Sequence, residues 1–498
     1  MDFLRTVSLF AVFYSSLIEI LGAETVTVTT DNDTTIDEFR SIPYAKPPLG
    51  DLRFRKPESV EDWSEPWNAT YFRPRCWQIA VENNDTHPQS EDCLYLNVWS
   101  PDTSSAGGAS VGHHLIAEQS WNYFHKALMI SGNMMSPWGL ETNIEKARSD
   151  AFLLGRLVGC EDSMTSEDLV ACLRNKEAEQ IIAGANAVLL TTTNVIPTVP
   201  VIDGEFITAD PRLLLAQGKF KDCSIIAGNT LDDGSIVSVR AYPSQLLPPG
   251  RLKPTSDYPT FREKLEKFTY TFTNDLIVTA IEQQYIDWTK FEDPEANYFY
   301  TFMEVETDEA FHCTSDHTSR TYALNGNTVY RYRFSHLPET KFWPEAPAWV
   351  GVAHAEDLPF IFGYGFSPYR VPEWYFNPNE EELSLDIMRY FTNFAKTGNP
   401  NVGGDNDGNS DDESEWMEFK VPGLVVKDFK PGLQDLQGLQ ADHCKMWNDF
   451  VPSLVTYSGS LSEIEAQWRE EITIWRYDDL YDWRLSFTDY QENKNECS

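Results

Sequence analysis

The sequence is short of positive charge: 39 Lys plus Arg stand against 77 Asp plus Glu in 498 residues, a formal charge of -38. A chain this acidic cannot displace counterions from phosphate, which excludes nucleic acid as a partner. An acidic surface keeps a protein soluble, and it also steers a cationic ligand toward a cleft. Beyond the first residues no run of about 18 apolar residues occurs, so no membrane span is expected. No two cysteines have CxxC spacing, and neither a metal site nor a cofactor is expected. No internal repeat stands out. What the chain does have is 41% hydrophobic residues and 15 Trp, the composition of a folded globular protein.

Residues 1–23 have the pattern of a secretory signal. Arg5 lies in a short basic region, Val7 to Phe13 is apolar, and Leu21-Gly22-Ala23 ends in small residues. Glu19 interrupts the run, so this segment is not a span. The mature chain is therefore expected outside the cell, in keeping with sequons at Asn32, Asn68 and Asn84. Eight cysteines are present. Their spacing alone leaves about a hundred possible pairings, although disulfides are expected in that compartment. Cys497, next to the last residue on a polar tail, is a candidate for a bond between chains.

Most of the chain alternates β-rich runs with helical patterns. Cys93–Trp99, Lys126–Ile130, Ser224–Ala227 and Thr328–Phe334 predict strands. Leu383–Lys396 predicts a helix that stops at Gly398-Asn399-Pro400. Strands interleaved with helices predict an α/β fold with a mostly parallel sheet. Residues 402–415 predict an acidic surface loop. The last forty residues differ. Ile464, Trp468, Ile472, Trp475, Leu480, Trp483, Phe487 and Tyr490 recur at roughly helical spacing among charged residues. Such a helix either packs on its own core or self-associates, and the aromatic seam Trp468/Trp475/Trp483 followed by Cys497 favours self-association. The expected organisation is a signal at 1–23, one domain at 24–458 and an oligomerisation helix at 459–498.

Four local sequences carry a resemblance: Ser41-Ile-Pro-Tyr-Ala-Lys-Pro-Pro-Leu-Gly, Ser90-Glu-Asp-Cys-Leu-Tyr-Leu-Asn-Val-Trp, Pro200-Val-Ile-Asp-Gly-Glu-Phe and Phe394-Ala-Lys-Thr-Gly-Asn-Pro. From about residue 41 onward the chain resembles the cholinesterase branch of the type-B carboxylesterases. The resemblance implies an α/β-hydrolase fold and hydrolysis of carboxylic esters, of choline or broader, through an acyl-enzyme. It implies disulfides Cys76–Cys93, Cys160–Cys172 and Cys313–Cys444, with Cys223 a free, buried thiol. The tail is similar to the tryptophan-rich tetramerisation peptide of that branch, which implies a homo-oligomer and a proline-rich anchoring subunit.

Ester hydrolysis on this fold needs a serine on a tight strand-to-helix turn, a histidine, a carboxylate to orient it, and backbone N–H donors for the oxyanion. The histidine is His354, in Trp349-Val-Gly-Val-Ala-His-Ala-Glu-Asp-Leu-Pro-Phe-Ile-Phe-Gly; the family usually has Gly where Ala355 stands. The acid maps to Asp233, with Asp232 as the alternative. Asp is one methylene shorter than the family's Glu, so it must approach by backbone movement or bond the imidazole less well. The nucleophile position falls on Ser105, in Thr103-Ser-Ser-Ala-Gly-Gly-Ala-Ser-Val-Gly112, although Gly and Glu of the family's turn are replaced by Thr103 and Ser104. A literal G-x-S-x-G match at Ser110 falls on the helix after that turn.

The segment just upstream is short. Where the family has roughly a hundred residues between the CLYLNVW strand and the serine turn, this chain has Ser100 to Ser104. The missing piece carries the Gly-rich oxyanion loop and several central strands, so little or no hydrolysis is expected of this chain. A non-catalytic, cholinesterase-like interaction protein or an inactive splice product is the competing reading. The pocket positions map to Ile196, Thr198, Ile236 and Val237, a wider and less aromatic gorge than a choline ester requires. The usual choline-stacking Trp has no match; Trp77 and Trp99 are read as packing residues.

Overall fold

The computed structural model describes side chains over 40–457, except 62–66, 79–87, 96–106, 162–164, 189–197, 239–240, 243–253, 269–273, 292, 294, 344–345, 348, 367–374 and 403–414. Near the start, β1 (Val26–Thr29) and β2 (Thr35–Glu38) pair as an antiparallel hairpin. The main sheet runs β3 (Lys126–Ile130), β4 (Ser224–Thr230), β5 (Val329–Phe334), β6 (Val425–Phe429) and β7 (Gln434–Gln437). Neighbouring pairs from β3 to β6 are parallel, and β7 closes the far edge antiparallel to β6.

The parallel strands carry apolar residues on both faces, as a parallel sheet between helical layers requires. Ala127 and Met129 of β3, Ile225 and Ala227 of β4, and Val329 of β5 join one core with Leu115, Leu214 and Tyr322. Ile226, Tyr330, Tyr332 and Phe334 point the other way, into a core with Ile387, Phe391, Phe394 and Trp416. The alternation follows from the two-residue period of a strand.

The flanking helices follow from their ends. Helix α4 (Pro378–Thr397) starts on a capping box: Asn377 accepts from the backbone of Asn379 and Glu380, while Glu380 accepts from the Asn377 N–H. Pro378 occupies the first turn, and Gly398 at φ 82° ends the helix. Helix α1 (Gly107–Ile116) lies against β3. Helix α2 (Phe299–Thr307) runs through a π turn at Asp308–His312 into α3 (Cys313–Leu324).

The predicted α/β sheet is thus present: the strands expected at 126–130, 224–227 and 328–334 lie at 126–130, 224–230 and 329–334, and the helix expected over 383–396 runs over 378–397 and stops at Gly398. The strand expected at 93–99 is described only as Tyr95–Leu96, paired with Ile42–Pro43. Ser110 lies on α1 and is exposed, as the family comparison of that stretch implies. Cys76–Cys93, Cys160–Cys172 and Cys313–Cys444 are bonded, and Cys223 is free and buried. No described helix is long and apolar enough to cross a membrane. The signal segment, Asn32, Asn84, Trp99 and the 459–498 tail with Trp468, Trp475, Trp483 and Cys497 lie outside the described residues, as does the loop from 403 to 414.

Candidate active site

In an open parallel sheet, loops at the carboxyl ends of the strands collect functional groups. Thr230 ends β4, and Asp233 follows three residues later in a tight turn. The turn is shaped by its own side chain, because Asp233 Oδ2 accepts from the Thr230 N–H at 2.9 Å. Gly234 is needed next: a Cβ there would stand 2.3 Å from the Thr307 backbone nitrogen. Helix α2 therefore runs hard against the acid turn.

His354 comes from the loop after β5. Its Nδ1 lies 2.8 Å from Asp233 Oδ1, and both residues are buried. The shorter acid makes a hydrogen bond of ordinary length, so of the two sequence expectations the weakened bond is not what occurs. Asp232 points elsewhere: its Oδ2 accepts from the Val352 N–H at 2.8 Å, and its own N–H donates to the Val352 carbonyl. That double contact ties the acid turn to the histidine loop. Trp343 Nε1 donates to the His354 carbonyl at 2.6 Å, and the Phe311 ring lies 5.5 Å from the imidazole. Ala355 sits at φ 73°, the left-handed region, which explains why glycine suits this position.

Three residues that the sequence reading missed complete the surroundings. Ser131, at the end of β3, donates to Asp233 Oδ2 at 2.9 Å. Tyr332 of β5 donates to Asp357 Oδ2 at 2.7 Å, and Asp357 acts on His354 through its charge while the charge of Asp233 acts on Asp357. Ser131-Gly132 directly after a strand, and a second acid inside the His354 motif, were the available signals. Electrostatically, burial pulls the His354 imidazole down. The hydrogen bond and charge of Asp233, with Asp357 behind, outweigh it and hold the ring above its ordinary value. Burial raises Asp357 to about 6 and Glu356 to about 7.

Ser105 lies outside the described residues. The helix that follows it is fixed close by. A Cβ on Gly108 would stand 2.4 Å from the Ile130 carbonyl oxygen, so α1 begins on the end of β3. Ala109 packs with Trp138, Ala310 and Phe311, and Phe311 reaches His354. Ile236 packs against this same group, whereas Val237 is fully buried and Thr198 is exposed. Ile196 is not among the described residues. Trp77 is half-buried, and Asn68 is exposed, as glycosylation would require.

A buried carboxylate–imidazole pair thus lies at the strand ends of a mostly parallel sheet, beside the start of a helix, the setting in which open α/β sheets collect functional groups. The profile of the carboxylesterase family matches residues 19–104 and 103–447, and the chain belongs to that family. It is similar to the acetylcholinesterase of Bungarus fasciatus, 28% identical over 575 aligned positions that cover 94% of this chain and 91% of the relative. The acetylcholinesterases of Electrophorus electricus and Danio rerio are each 26% identical, covering 92% of this chain and 91% of the relative. These likenesses make the chain a cholinesterase-like type-B carboxylesterase.

Proposed function

We propose that this chain derives from a secreted serine ester hydrolase in which Ser105 is the nucleophile, His354 the general base and Asp233 the residue that orients it. The buried His354–Asp233 bond carries the reading. With Asp233 on Nδ1, the imidazole presents Nε2 to a hydroxyl, takes its proton during attack on the ester carbonyl, and returns it to the leaving alcohol. The acyl group then rests on the serine until water removes it by the same route. The substrate is a carboxylic ester, and the aliphatic Ile236 at the site favours broad esters over choline esters, which aromatic rings hold. The N-terminal signal pattern supports secretion, and the three disulfides accord with it. The Trp468/Trp475/Trp483 seam and Cys497 support a homo-oligomer that takes a proline-rich anchoring subunit.

A specific observation favours impaired hydrolysis or a non-catalytic role. The family profile matches in two pieces that abut at 103–104, and the Bungarus alignment spans 575 positions against 498 residues in this chain. The relative thus carries sequence that this chain lacks, in keeping with an absent oxyanion loop. Each lost oxyanion donor costs about 10²–10³ in rate. The test is to react the secreted, purified chain with a serine-directed organophosphate and read the adduct by mass spectrometry. Stoichiometric label on Ser105, abolished in Ser105→Ala and His354→Ala, supports the esterase. No label on a chain with a cooperative thermal transition overturns it in favour of the non-catalytic protein.

A further inference from the structure

A second histidine–carboxylate group lies away from the acid turn, on the helical side of the molecule. Glu304 near the end of α2 and Asp308 at the start of the π turn are four residues apart on one continuous helix, so they share a face. His443 comes from α5 (Ala441–Lys445), far away in sequence. It is brought there by its neighbour: Cys444 is bonded to Cys313, with Cα atoms 4.7 Å apart, at the start of α3. The Nδ1 of His443 lies 2.7 Å from Asp308 Oδ2 and 3.9 Å from Glu304 Oε1. All three donor atoms fall within 4.8 Å of one another.

We propose that Glu304, Asp308 and His443 form a zinc-binding site. Donors at zinc bond lengths of about 2.0–2.2 Å in tetrahedral array stand roughly 3.3–3.6 Å apart. The 3.9 Å separation lies near that spacing, and the 2.7 Å hydrogen bond between His443 and Asp308 opens as zinc displaces the proton they share. One imidazole and two carboxylates suit zinc, whereas an all-oxygen set would suit magnesium or calcium. Water fills the fourth position.

The carboxylates are held as metal ligands usually are, by outer hydrogen bonds. Tyr285 donates to Asp308 Oδ2 at 2.8 Å and is itself held by Trp447 Nε1 at 2.7 Å. Gln440 Nε2 donates to Glu304 Oε1 at 3.0 Å. Asp308 is buried, while the Glu304 side chain is 46% exposed and gives the ion its entry. A bound ion would join α2, the π turn and α5 beside the Cys313–Cys444 bond. The same π turn carries Phe311 to the His354 ring, so the ion would stiffen the support of the acid–base pair.

The chelator-stripped full chain, titrated with zinc chloride by isothermal calorimetry, should take up one zinc per chain in a saturable event, with magnesium chloride giving none. Glu304→Gln and His443→Asn should each weaken zinc binding at least tenfold. Glu304 is exposed enough that its variant keeps the thermal transition of the parent, which leaves the test readable even if His443→Asn unfolds. Absence of a saturable event, or binding unchanged in a folded Glu304→Gln chain, overturns the proposal.

Discussion

Among the described residues stand two His–Asp pairs of nearly equal length, His354–Asp233 at 2.8 Å and His443–Asp308 at 2.7 Å. In both, the hydrogen bond and charge of the aspartate lift the imidazole against the pull of burial. Their surroundings separate them. His354 is buried, its acid is gripped by Ser131 and the Thr230 N–H, and its backbone is fixed by Trp343. His443 is half-buried and shares its acid with Tyr285 and a half-exposed glutamate. A His–Asp distance therefore assigns no chemistry. What does is whether the other ring nitrogen is directed to a reacting group, and whether a further ligand stands beside the first.

The contrast is sharpest on removal of the acid. Asp233→Ala leaves a buried imidazole and two buried donors without their partner, and should cost about 3–5 kcal/mol. Asp308→Asn keeps an acceptor for Tyr285 beside a partly solvated ring and should cost about 1–2 kcal/mol. Urea unfolding of the two variants measures both, and equal losses would break the distinction.

A second difference is proton-linked. Burial holds Glu356 at about 7 and Asp357 at about 6, above their ordinary values of 4.5 and 3.8. Among the described residues Glu356 Oε1 has no partner, and its Oε2 accepts from the Phe342 N–H. The folded chain keeps protons that the unfolded chain releases. The stabilisation from these groups is therefore whole below the unfolded values and is lost as the pH rises through about 6 and about 7. Thermal unfolding should occur at progressively lower temperature across that window, and Glu356→Gln should flatten the slope. A slope unchanged in that variant would place the proton elsewhere.

The smallest effect concerns the backbone of the first pair. Ala355 holds φ 73° without the freedom of glycine. Left-handed backbone costs an alanine about 1–2 kcal/mol, partly offset by the greater unfolded entropy of glycine. Ala355→Gly should stabilise the chain by about 1 kcal/mol, read as a higher urea midpoint. A lower midpoint would mean that the buried Ala355 methyl contributes more than the strain costs.

The sheet was legible because its strands are short apolar runs and because α4 carries explicit start and stop residues, Asn377, Pro378 and Gly398. His354 and Asp233 were legible through motifs, although Asp232 stayed open as the alternative acid. Both are acids in one turn, and only the fold shows that Asp232 serves the Val352 backbone. Ser131 was missed because it bonds Asp233 across 102 residues, a separation that no local pattern records. For the same reason the Glu304–Asp308–His443 group escaped notice: helical spacing links its acids, but a disulfide closing 131 residues supplies the histidine.

The burial of one of the two remaining cysteines has a practical consequence. Six thiols are consumed in disulfides, and burial raises Cys223 to about 11, so at neutral pH it stays a shielded, unreactive thiol. A maleimide dye added to the native protein should therefore spare Cys223, so that any label found on the native chain falls on Cys497 and tests the proposed bond between tails.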